Sequence, residues 1–385
     1  MKTIKTLAIV VNYHSAALSL EAVQSVLSSR SLGPVQVVVA DNSVDESEAM
    51  YLRKHLPSAV VLKVNTENMG FGRACNAVTD AHDADLILLL NPDARLLPDC
   101  LIRLQQTLLS SGRIGAVGPQ IYWDQKNGYF LPPSYPPMLL WIEPVLSIWG
   151  LYSRLWRLLS AIWRRFAIYI WRAKSPVRVT NLSGGHVLLK KDAVVTAGGL
   201  FDPRFFLYYE DTDLFVRLRN SGYKLVVEPR AEVVHFYDQC DQSHLADKRS
   251  LMIASRRLFL EKHITGWKCY LNRLAIRFQR EQKNSVEPKF KATYNSAFRV
   301  LVPDNLVGAW LFEWSPSPNF TPAAGKFGTG VHVVFTENEW NLLSPGVYYG
   351  RLGGMSWGRP LVEITWEKLQ TACQGVFNKY SEYNN

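Results

Sequence analysis

Four short apolar segments, each followed by a helical pattern, dominate the first 120 residues. The apolar segments are TLAIVVNY, PVQVVVADN, AVVLKVN and ADLILLLNP, and the helical patterns begin near residues 19, 46, 70 and 98. The segments are apolar on both faces, which is typical of strands in a parallel sheet that helices cover on both sides. This alternation predicts βαβ units, and therefore an α/β domain with a mostly parallel, Rossmann-like sheet.

Polar residues follow each of these predicted strands. They are Asn12-Tyr13-His14, Asp41-Asn42-Ser43, Asn65 and Asn91-Pro92-Asp93. The carboxyl ends of parallel strands meet at one edge of a sheet, and ligands bind there. We therefore expect these side chains to form one polar rim. Asp93 closely follows the apolar predicted strand LILLL. An acidic residue at such a position is either a turn former or a ligand.

The remaining sequence predicts three further regions after residues 1–121. Residues 122–179 form an insertion that carries prolines and then a helical stretch. Residues 180–285 resume the α/β pattern and end in helices, whereas residues 286–385 are short alternating segments separated by Gly and Pro. The last region predicts a small, all-β, sandwich-like module.

Charge and composition narrow the class of protein. The net charge of +10 predicts a polyanionic partner, which can be nucleic acid, anionic lipid or a phosphorylated substrate. No window of about 20 uncharged apolar residues exists, so we predict no membrane-spanning helix. The start MKTIKTLAIVV predicts a first strand rather than a signal peptide, because its apolar run is short. Five widely spaced cysteines without a CxxC pattern predict reduced thiols in a cytosolic protein.

Six motifs follow one another between residues 5 and 265. They are VVNYHS, VVADNS, ENMGFGRACN, LLLNPDA, the long segment LSGGHVLLKKDAVVTAGGLFDPRFFLYYEDTDLFVRLRNSGY, and AEVVHF. Their order resembles the bacterial family-two glycosyltransferases, and among them the rhamnosyltransferase-like enzymes of surface polysaccharide assembly. The resemblance implies a GT-A fold, a nucleoside-diphosphate-sugar donor, Mg²⁺ or Mn²⁺, and inversion at the anomeric carbon. It also implies that residues 1–121 hold the donor and residues 180–285 hold the acceptor and the catalytic groups.

The donor residues that this resemblance implies lie in the first half of the chain. A carboxylate at Asp41 can accept the imide N–H of uracil or thymine, which cytosine lacks; the alternative is a turn-capping Asp. The glycines of NMGFGRACN enter a helix, where backbone N–H groups suit a phosphate, although a tight turn with close packing explains them equally well. The predicted nucleotide-sugar-binding residues are Asn12, Tyr13, Asp41, Asn68, Gly70, Arg73, Asn91 and Asp93.

A metal site is also implied by the resemblance. Asp93 corresponds to the last Asp of the family's DxD-type motif, whereas Asn91 replaces the first carboxylate. Magnesium usually reaches nucleotide diphosphates through one or two carboxylates, so Asp93 and the diphosphate oxygens could suffice. His235 is a possible further metal ligand, and a histidine satisfied within its strand is the alternative.

The segment YYEDTDLFVRL supplies three carboxylates at the start of a predicted helix. Acidic residues are favourable there on electrostatic grounds alone. The match to the family's ED pair makes Asp211 the candidate catalytic base, with Glu210 in reserve. Asp213 and Arg217 are spaced as a structural i,i+4 pair. Ser183, Gly184 and Gly185 are expected to line the donor and acceptor sugars, and a glycine bulge is the alternative.

The insertion is both basic and rich in tryptophan. No acidic residue lies between Glu143 and Asp192. We favour contact of the insertion with an anionic membrane interface over its packing on the domain as a lid. Binding of nucleic acid ranks third, because no nucleic-acid recognition fold accompanies the basic patch. The predicted membrane residues are Trp149, Trp156, Trp163, Arg164, Arg165 and Trp171.

Taken together, these features predict an inverting glycosyltransferase. We expect it to move a sugar, rhamnose in our interpretation, from a dTDP- or UDP-linked donor to a hydroxyl of a lipid-linked saccharide. It would lie in the cytoplasm, peripheral on the inner face of the cell membrane. The alternatives are a sugar-1-phosphate nucleotidyltransferase and a non-catalytic saccharide- or membrane-binding protein. The absence of glycine in VNYHSAAL argues against the first, and the carboxylates at the rim argue against the second.

Overall fold

The computed structural model describes residues 3–126, 128–137, 152–236, 245–279, 294, 296–318, 320, 323–354 and 362–369. The chain divides into two compact units, residues 1–284 and 285–385. The insertion belongs to the first unit.

The first unit alternates strands and helices over most of its length. Its strands are β1 (Thr6–Asn12), β2 (Val35–Asp41), β3 (Val61–Val64), β4 (Leu86–Leu90), β5 (Ala94–Leu96), β6 (Ile114–Tyr122), β7 (Val177–Val179), β8 (His186–Lys190) and β9 (Lys224–His235). Its helices are α1 (Ala16–Ser28), α2 (Glu46–His55), α3 (Gly70–Ala81), α4 (Cys100–Leu109), α5 (Tyr152–Trp171), α6 (Lys191–Thr196), α7 (Glu210–Asn220), α8 (Leu245–His263) and α9 (Trp267–Gln279). The four predicted strand and helix pairs at the start are confirmed.

These strands form one sheet across the described residues of the unit. Its order is β3-β2-β1-β4-β8-β6-β9-β5, and β7 pairs with β9. The first four strands are parallel, whereas β8 runs antiparallel to both β4 and β6. Alternate residues of β1 enter two separate cores: Leu7 and Ile9 face α3 and α7, and Ala8 and Val10 face α1 and α4. The predicted α/β class with helices on both faces of the sheet is confirmed.

Helix α5 packs its aromatic face onto the unit. Trp163 and Trp171 are buried, at 6% and 5% exposure, and the Trp171 indole donates to the Leu131 carbonyl at 2.9 Å. Trp163 contacts Tyr135, with ring centroids 5.4 Å apart. The prediction that these two tryptophans meet a membrane is therefore wrong, because the apolar stripe of the helix covers its own domain.

The outward face of α5 is also partly apolar. Leu158, Ile162 and Tyr169 are exposed by 50%, 49% and 61%, and Arg165 lies exposed among them. Trp149 lies outside the described residues, as does the side chain of Trp156. Among the residues that the structure describes, no helix is long and apolar enough to cross a membrane.

The second unit is largely antiparallel β-structure. Its strands are β10 (Phe298–Leu301), β11 (Trp310–Ser315), β12 (Ala324–Gly328), β13 (His332–Phe335), β14 (Gly346–Gly353) and β15 (Val362–Lys368), with one α-helix, α10 (Glu337–Leu342). Four strands pair in the order β12-β11-β14-β15, and β10 pairs with β13. The predicted all-β character is confirmed.

Strand β12 has no counterpart in the sequence-based prediction. Its sequence AGKFG is poor in β-branched residues, which normally identify a strand. The Trp310 ring packs so closely over Gly328 that an added Cβ would lie 2.3 Å from the ring. Gly328 makes the strand hard to recognise in the sequence, but the packing of Trp310 leaves no room for a larger residue at this position.

Candidate active site

The carboxyl ends of β1, β2 and β3 form a hydrogen-bonded polar rim. Asn12 and Asp41 lie opposite each other in the strand register, and the Asn12 amide donates to Asp41 Oδ1 at 2.9 Å. The Asn65 amide donates to Asn42 Oδ1 at 2.7 Å, and the Asn42 amide donates to the Gly70 carbonyl at 3.0 Å. The predicted convergence of these strand ends is confirmed.

Asn12 organises the rim from within. Its side chain is fully buried, and its amide nitrogen lies within hydrogen-bonding distance of Asp41, Ser43 and Glu48. Its carbonyl oxygen accepts from the hydroxyls of two serines of the next turn and helix. Both ends of the amide are occupied, so the geometry makes Asn12 a support for Asp41 rather than the nucleotide contact that we predicted.

Asp41 has one satisfied and one unsatisfied oxygen. Oδ1 accepts from Asn12 and from the Ser43 backbone N–H, whereas Oδ2 is buried with no hydrogen-bond partner among the described residues. Leaving a buried acceptor unpaired costs about 1–3 kcal/mol, which a donor from a ligand would recover. Tyr13, 37% exposed, stands directly after β1 at the same rim. Because Asp41 is fully buried, a ligand reaches Oδ2 only after a covering group moves.

The start of α3 is already occupied by protein. The Gly70 N–H bonds to Asn68 Oδ1 and the Phe71 N–H bonds to the Phe206 carbonyl, at 3.0 and 3.1 Å. Arg73 Nε donates to the Pro203 carbonyl at 2.8 Å. The N–H groups of Gly70 and Phe71 are therefore taken within the protein, and the nucleotide-sugar contacts of Asn68, Gly70 and Arg73 stay predictions.

The same contacts explain the first glycine of this motif. Gly70 has a φ of +78°, and an added Cβ would lie 2.2 Å from the Phe206 carbonyl oxygen. Only glycine tolerates both conditions. Close packing, the alternative reading of NMGFGRACN, is the one that the contacts support.

Asp93 lies in a buried polar group with two histidines. Asp93 is 3% exposed, and its Oδ1 lies 3.1 Å from His235 Nε2. The rings of His235 and His186 meet edge to face, with centroids 5.2 Å apart. Burial lowers the pKa of His186 to about 3, and the neighbouring His235 adds to this effect, so His186 is neutral near pH 7.

A divalent cation fits this group only through Asp93. No cluster of three or more His, Cys, Asp or Glu side chains that could hold a metal ion exists among the described residues. His235 Nε2 shares a hydrogen bond with Asp93, so this nitrogen is not free to ligate a metal in this geometry. In this geometry His235 orients Asp93, and its role as a further metal ligand stays a prediction. The remaining ligands would have to come from diphosphate oxygens and water, as is common for Mg²⁺.

Two adjacent glycines connect the Asp93 side of the rim to the acidic helix. The Gly185 carbonyl accepts from the Asn91 N–H at 2.7 Å, and an added Cβ at Gly185 would lie 2.6 Å from the Asn91 amide. The Gly184 N–H donates to Asp211 Oδ2 at 2.9 Å, and an added Cβ would lie 2.7 Å from Asp211 Cβ. Asn91 and Asp211 thus contact consecutive residues, which brings the end of β4 next to the start of α7.

The two neighbouring carboxylates at the start of α7 differ in environment. Burial, and then the charge of Asp211, raise the pKa of Glu210 to about 8, and Glu210 Oε2 has no partner among the described residues. Burial also raises the pKa of Asp211, while hydrogen bonds from Gly184 and Thr212 oppose the shift. Glu210 is 6% exposed, whereas Asp211 is only partly buried. At neutral pH Glu210 is therefore mainly protonated, and Asp211 is the better placed base.

Asp213 has a structural role, as its spacing predicted. It is fully buried, and its carboxylate pairs with Arg217 at 2.8 Å and with Lys262 and His263 at 2.7 Å. Lys262 and His263 are the last residues of α8, so this carboxylate attaches α8 to α7. The loop before α7 is held in the same region, because the Ser255 hydroxyl of α8 donates to the Leu207 carbonyl at 2.7 Å.

Comparison with known families decides the class of protein. The model of the family described as "Glycosyltransferase like family 2" matches residues 5–256. The chain belongs to glycosyltransferase family 2. The match spans the whole rim, the two glycines and the acidic helix, and it confirms that this chain is a glycosyltransferase.

Two curated relatives of this glycosyltransferase come from Mycobacterium tuberculosis, strains CDC 1551 / Oshkosh and ATCC 25618 / H37Rv. Each is named N-acetylglucosaminyl-diphospho-decaprenol L-rhamnosyltransferase. Each is 28% identical over 273 residues, which covers 68% of this chain and 86% of the relative. The predicted resemblance to rhamnosyltransferases is confirmed.

Two solved structures align with this chain at low sequence identity. A crystal structure of GalNAc-T7 with UDP, GalNAc and Mn²⁺ aligns with a TM-score of 0.49 and 15% identity, over 72% of this chain and about half (51%) of that one. The mannosyltransferase PcManGT from Pyrobaculum calidifontis, in complex with GDP-Man and Mn²⁺, aligns with a TM-score of 0.41 and 14% identity, over 73% of this chain and 76% of that one.

Some residues of this site were absent from the sequence-based prediction. His186 was missed although it directly follows Gly184-Gly185, because a histidine at the start of an apolar strand carries no signal of its own. Lys262 and His263 were missed because they lie about 50 residues after Asp213, and only the packing of α8 brings them to it.

Proposed function

We propose that this glycosyltransferase transfers rhamnose, with inversion, from a dTDP- or UDP-linked donor to a hydroxyl of a lipid-linked saccharide. The observation that carries the proposal is the contact of Asn91 and Asp211 with consecutive glycines, Gly185 and Gly184. It brings the region assigned to the donor diphosphate next to the candidate base. The names of the two mycobacterial relatives support both the sugar and the class of acceptor.

Donor recognition is assigned to Asp41. Its unpaired Oδ2 is an acceptor, and the N3–H of uracil or thymine is a matching donor. Tyr13, at the same rim, offers an aromatic face to the base. Asn12 fixes the orientation of Asp41, so it acts on the donor through that carboxylate.

Asp211 is assigned the transfer of the proton. Its carboxylate accepts the proton of the acceptor hydroxyl while that oxygen forms a bond to the anomeric carbon. The bond between this carbon and the diphosphate oxygen breaks, and its electron pair leaves with the nucleoside diphosphate. Attack opposite the leaving group inverts the configuration. The Gly184 N–H and Thr212 hold Asp211 in place throughout.

Asp93 is the proposed ligand of Mg²⁺ or Mn²⁺. A cation held there would supply positive charge to the departing diphosphate. His235 fixes the rotamer of the Asp93 carboxylate, and the neutral His186 packs behind it. Ser183, whose hydroxyl accepts from the Gly185 N–H at 3.3 Å, lines the same edge and is proposed to face the sugars.

The lipid-linked acceptor places the enzyme at a membrane surface. We assign it to the cytoplasmic face, attached peripherally, with Arg164 and Arg165 of α5 contributing attraction to anionic head groups. The net charge of +10 supports this assignment. No contact with nucleic acid is proposed.

Calorimetry with nucleotide sugars tests the donor assignment. Asp41→Asn replaces Oδ2 by an amide that faces the base with N–H groups, while Oδ1 still accepts from Asn12. We expect affinity for dTDP-rhamnose or UDP-sugars to fall by about tenfold or more, because a hydrogen bond to a charged group is lost. The same variant should bind CDP better than the wild type does, since cytosine N3 is an acceptor. Unchanged affinity for both nucleotides would remove Asp41 from the donor site.

A transfer assay tests the activity itself. We expect rhamnosyl transfer to N-acetylglucosaminyl-diphospho-lipid, with NMR showing the inverted anomer as product. Transfer with retained configuration, or the absence of transfer from any dTDP-, UDP- or GDP-sugar, would refute the proposal.

A further inference from the structure

The first turn of α9 presents large aromatic side chains to solvent. Trp267 and Tyr270 are exposed by 63% and 65%, and Leu271 next to them by 36%. Trp267 is the most exposed tryptophan among the described side chains, whereas those of α5 that are described are buried. An aromatic group of this size in water is a common mark of a binding surface.

The charged residues in the sequence of α9 have one sign. Helix α9 carries Lys268, Arg273 and Arg277 and no acidic residue. The Lys268 ammonium lies 5.9 Å from the centre of the Trp267 ring. Tryptophan and tyrosine with adjacent lysine and arginine are the residues that enter the interface of an anionic bilayer, because each has an apolar body and a polar end.

The chain limits how far these aromatics can lie from the candidate base. Trp267 follows His263 by four residues, so the chain places it within about 14 Å of that histidine. His263 and Lys262 bond directly to Asp213, which lies on α7 one half-turn beyond Asp211. The Ser255 hydroxyl holds α8 to the loop that leads into α7. The exposed aromatics are therefore attached to the acceptor side of the enzyme through buried contacts.

We propose that Trp267, Tyr270 and Leu271 insert into the interface of an anionic bilayer and hold the acceptor side of the enzyme at the membrane. This inference rests on the proposed function, in which the acceptor hydroxyl belongs to a lipid-linked saccharide. The diphosphate and sugar of such an acceptor lie at the bilayer surface, so insertion beside α7 brings the hydroxyl within reach of Asp211. The outward face of α5 is the competing surface, and it lacks an exposed tryptophan among its described side chains.

Binding to vesicles tests the insertion. The full chain and the double variant W267A/Y270A are sedimented with vesicles of phosphatidylglycerol and phosphatidylcholine at low salt. We expect the partition coefficient of the double variant to fall by about tenfold or more, because two interfacial anchors are lost. Y169A is the matched control, since it removes a tyrosine of similar exposure, 61%, from α5. We expect it to lower partitioning by less than about threefold.

The opposite pattern would overturn the inference. If Y169A lowers partitioning tenfold and W267A/Y270A leaves it unchanged, α5 is the inserted helix. If neither variant changes partitioning, insertion of the α9 aromatics is refuted. Circular dichroism spectra and thermal unfolding of the variants confirm that they are folded, as expected for changes at exposed positions.

Two acceptors separate this inference from the proposed function. One is N-acetylglucosamine diphosphate on a short, water-soluble alkyl chain, and the other carries a long polyprenyl chain in vesicles. We expect W267A/Y270A to retain transfer to the short acceptor and to lose about tenfold with the vesicle acceptor. Equal loss with both acceptors contradicts membrane docking. If the wild type transfers to neither, the proposed function fails, while vesicle sedimentation still decides the inference.

Discussion

Two neighbouring carboxylates, Glu210 and Asp211, differ in role because their surroundings differ. Glu210 points into the core, where its charge adds to burial in raising the pKa of Cys75. Asp211 points to Gly184 and accepts three hydrogen bonds, so its ionised form is stabilised despite the burial. The sequence favoured Asp211 only by its match to the family. The environment now supplies a physical reason for that choice.

The free energy of unfolding should depend on pH because Glu210 is buried. Folded Glu210 keeps its proton until about pH 8, whereas the unfolded chain releases it near 4.5. Between these values the folded state binds the extra proton, so the free energy of unfolding should fall as the pH rises, by up to about 5 kcal/mol. E210Q cannot titrate and should be more stable than the wild type at pH 8 and similar at pH 4.5. Urea unfolding at several pH values measures this, and parallel curves for the two proteins would contradict it.

At the residue scale, the apolar pattern correctly located the polar side chains at the strand ends, and their roles in binding stay predictions. Asp41, Asn91 and Asp93 follow strands whose direction and order the apolar pattern already indicates. It could not show that Phe71 and Arg73 bond to carbonyls of the loop at residues 203–206, because no local pattern shows a contact across about 130 residues. It also could not show that the bond between His235 and Asp93 uses the ring nitrogen that a metal would need.

At the scale of elements, Asp213 joins two helices that are distant in the sequence. Its buried carboxylate faces Arg217 of its own helix and Lys262 and His263 of α8. Arg217 also donates to the carbonyls of Ala197, Gly199 and Leu200, so the turn before the acidic loop is held by the same group. Helix α7 is thus fixed from both sides, which helps to hold Asp211 against Gly184.

Removing the charge of Asp213 should therefore destabilise the unit strongly. D213N leaves three cationic or polar partners facing a neutral amide in a buried site, and we expect a loss of about 3–5 kcal/mol in the free energy of unfolding. R257Q is the control, because Arg257 and Glu261 form an exposed pair on α8 at 2.9 Å. It should change stability by about 0.5 kcal/mol or less. Urea midpoints measure both, and a D213N protein as stable as R257Q would show that the cluster does not hold the helices together.

For the whole molecule, hydrophobic patterning predicted the architecture better than it predicted the surfaces. The wholly apolar strands predicted the parallel sheet correctly. The aromatic stripe of α5, in contrast, is equally consistent with a face in contact with a membrane and with a face packed on its own domain. The burial of Trp163 and Trp171 shows that this face packs on its own domain. Helix α9 gave no clear signal in the sequence because its exposed aromatics are only a few residues within a basic helix.

The positive charge of the molecule predicts salt-sensitive attachment to membranes. Each arginine or lysine near an anionic surface contributes about 1 kcal/mol, and at about 1 M salt the Debye length shrinks to about 3 Å. Washing isolated membranes with about 1 M salt should release most of the protein, because a short aromatic anchor alone binds weakly. Protein that remains attached after the wash would contradict this, and so would protein that never sediments with membranes at low salt.

The central claim is that Asp211 is the general base beside the donor site, and D211N tests it most directly. Asparagine keeps the shape of the side chain but cannot take a proton. We expect the variant to bind the nucleotide-sugar donor within about threefold of the wild type, while turnover falls by about 10²–10⁴-fold, the usual contribution of a general base. Calorimetry and a transfer assay on the same preparation measure the two quantities. Turnover within tenfold of the wild type, with donor binding intact, would contradict the account.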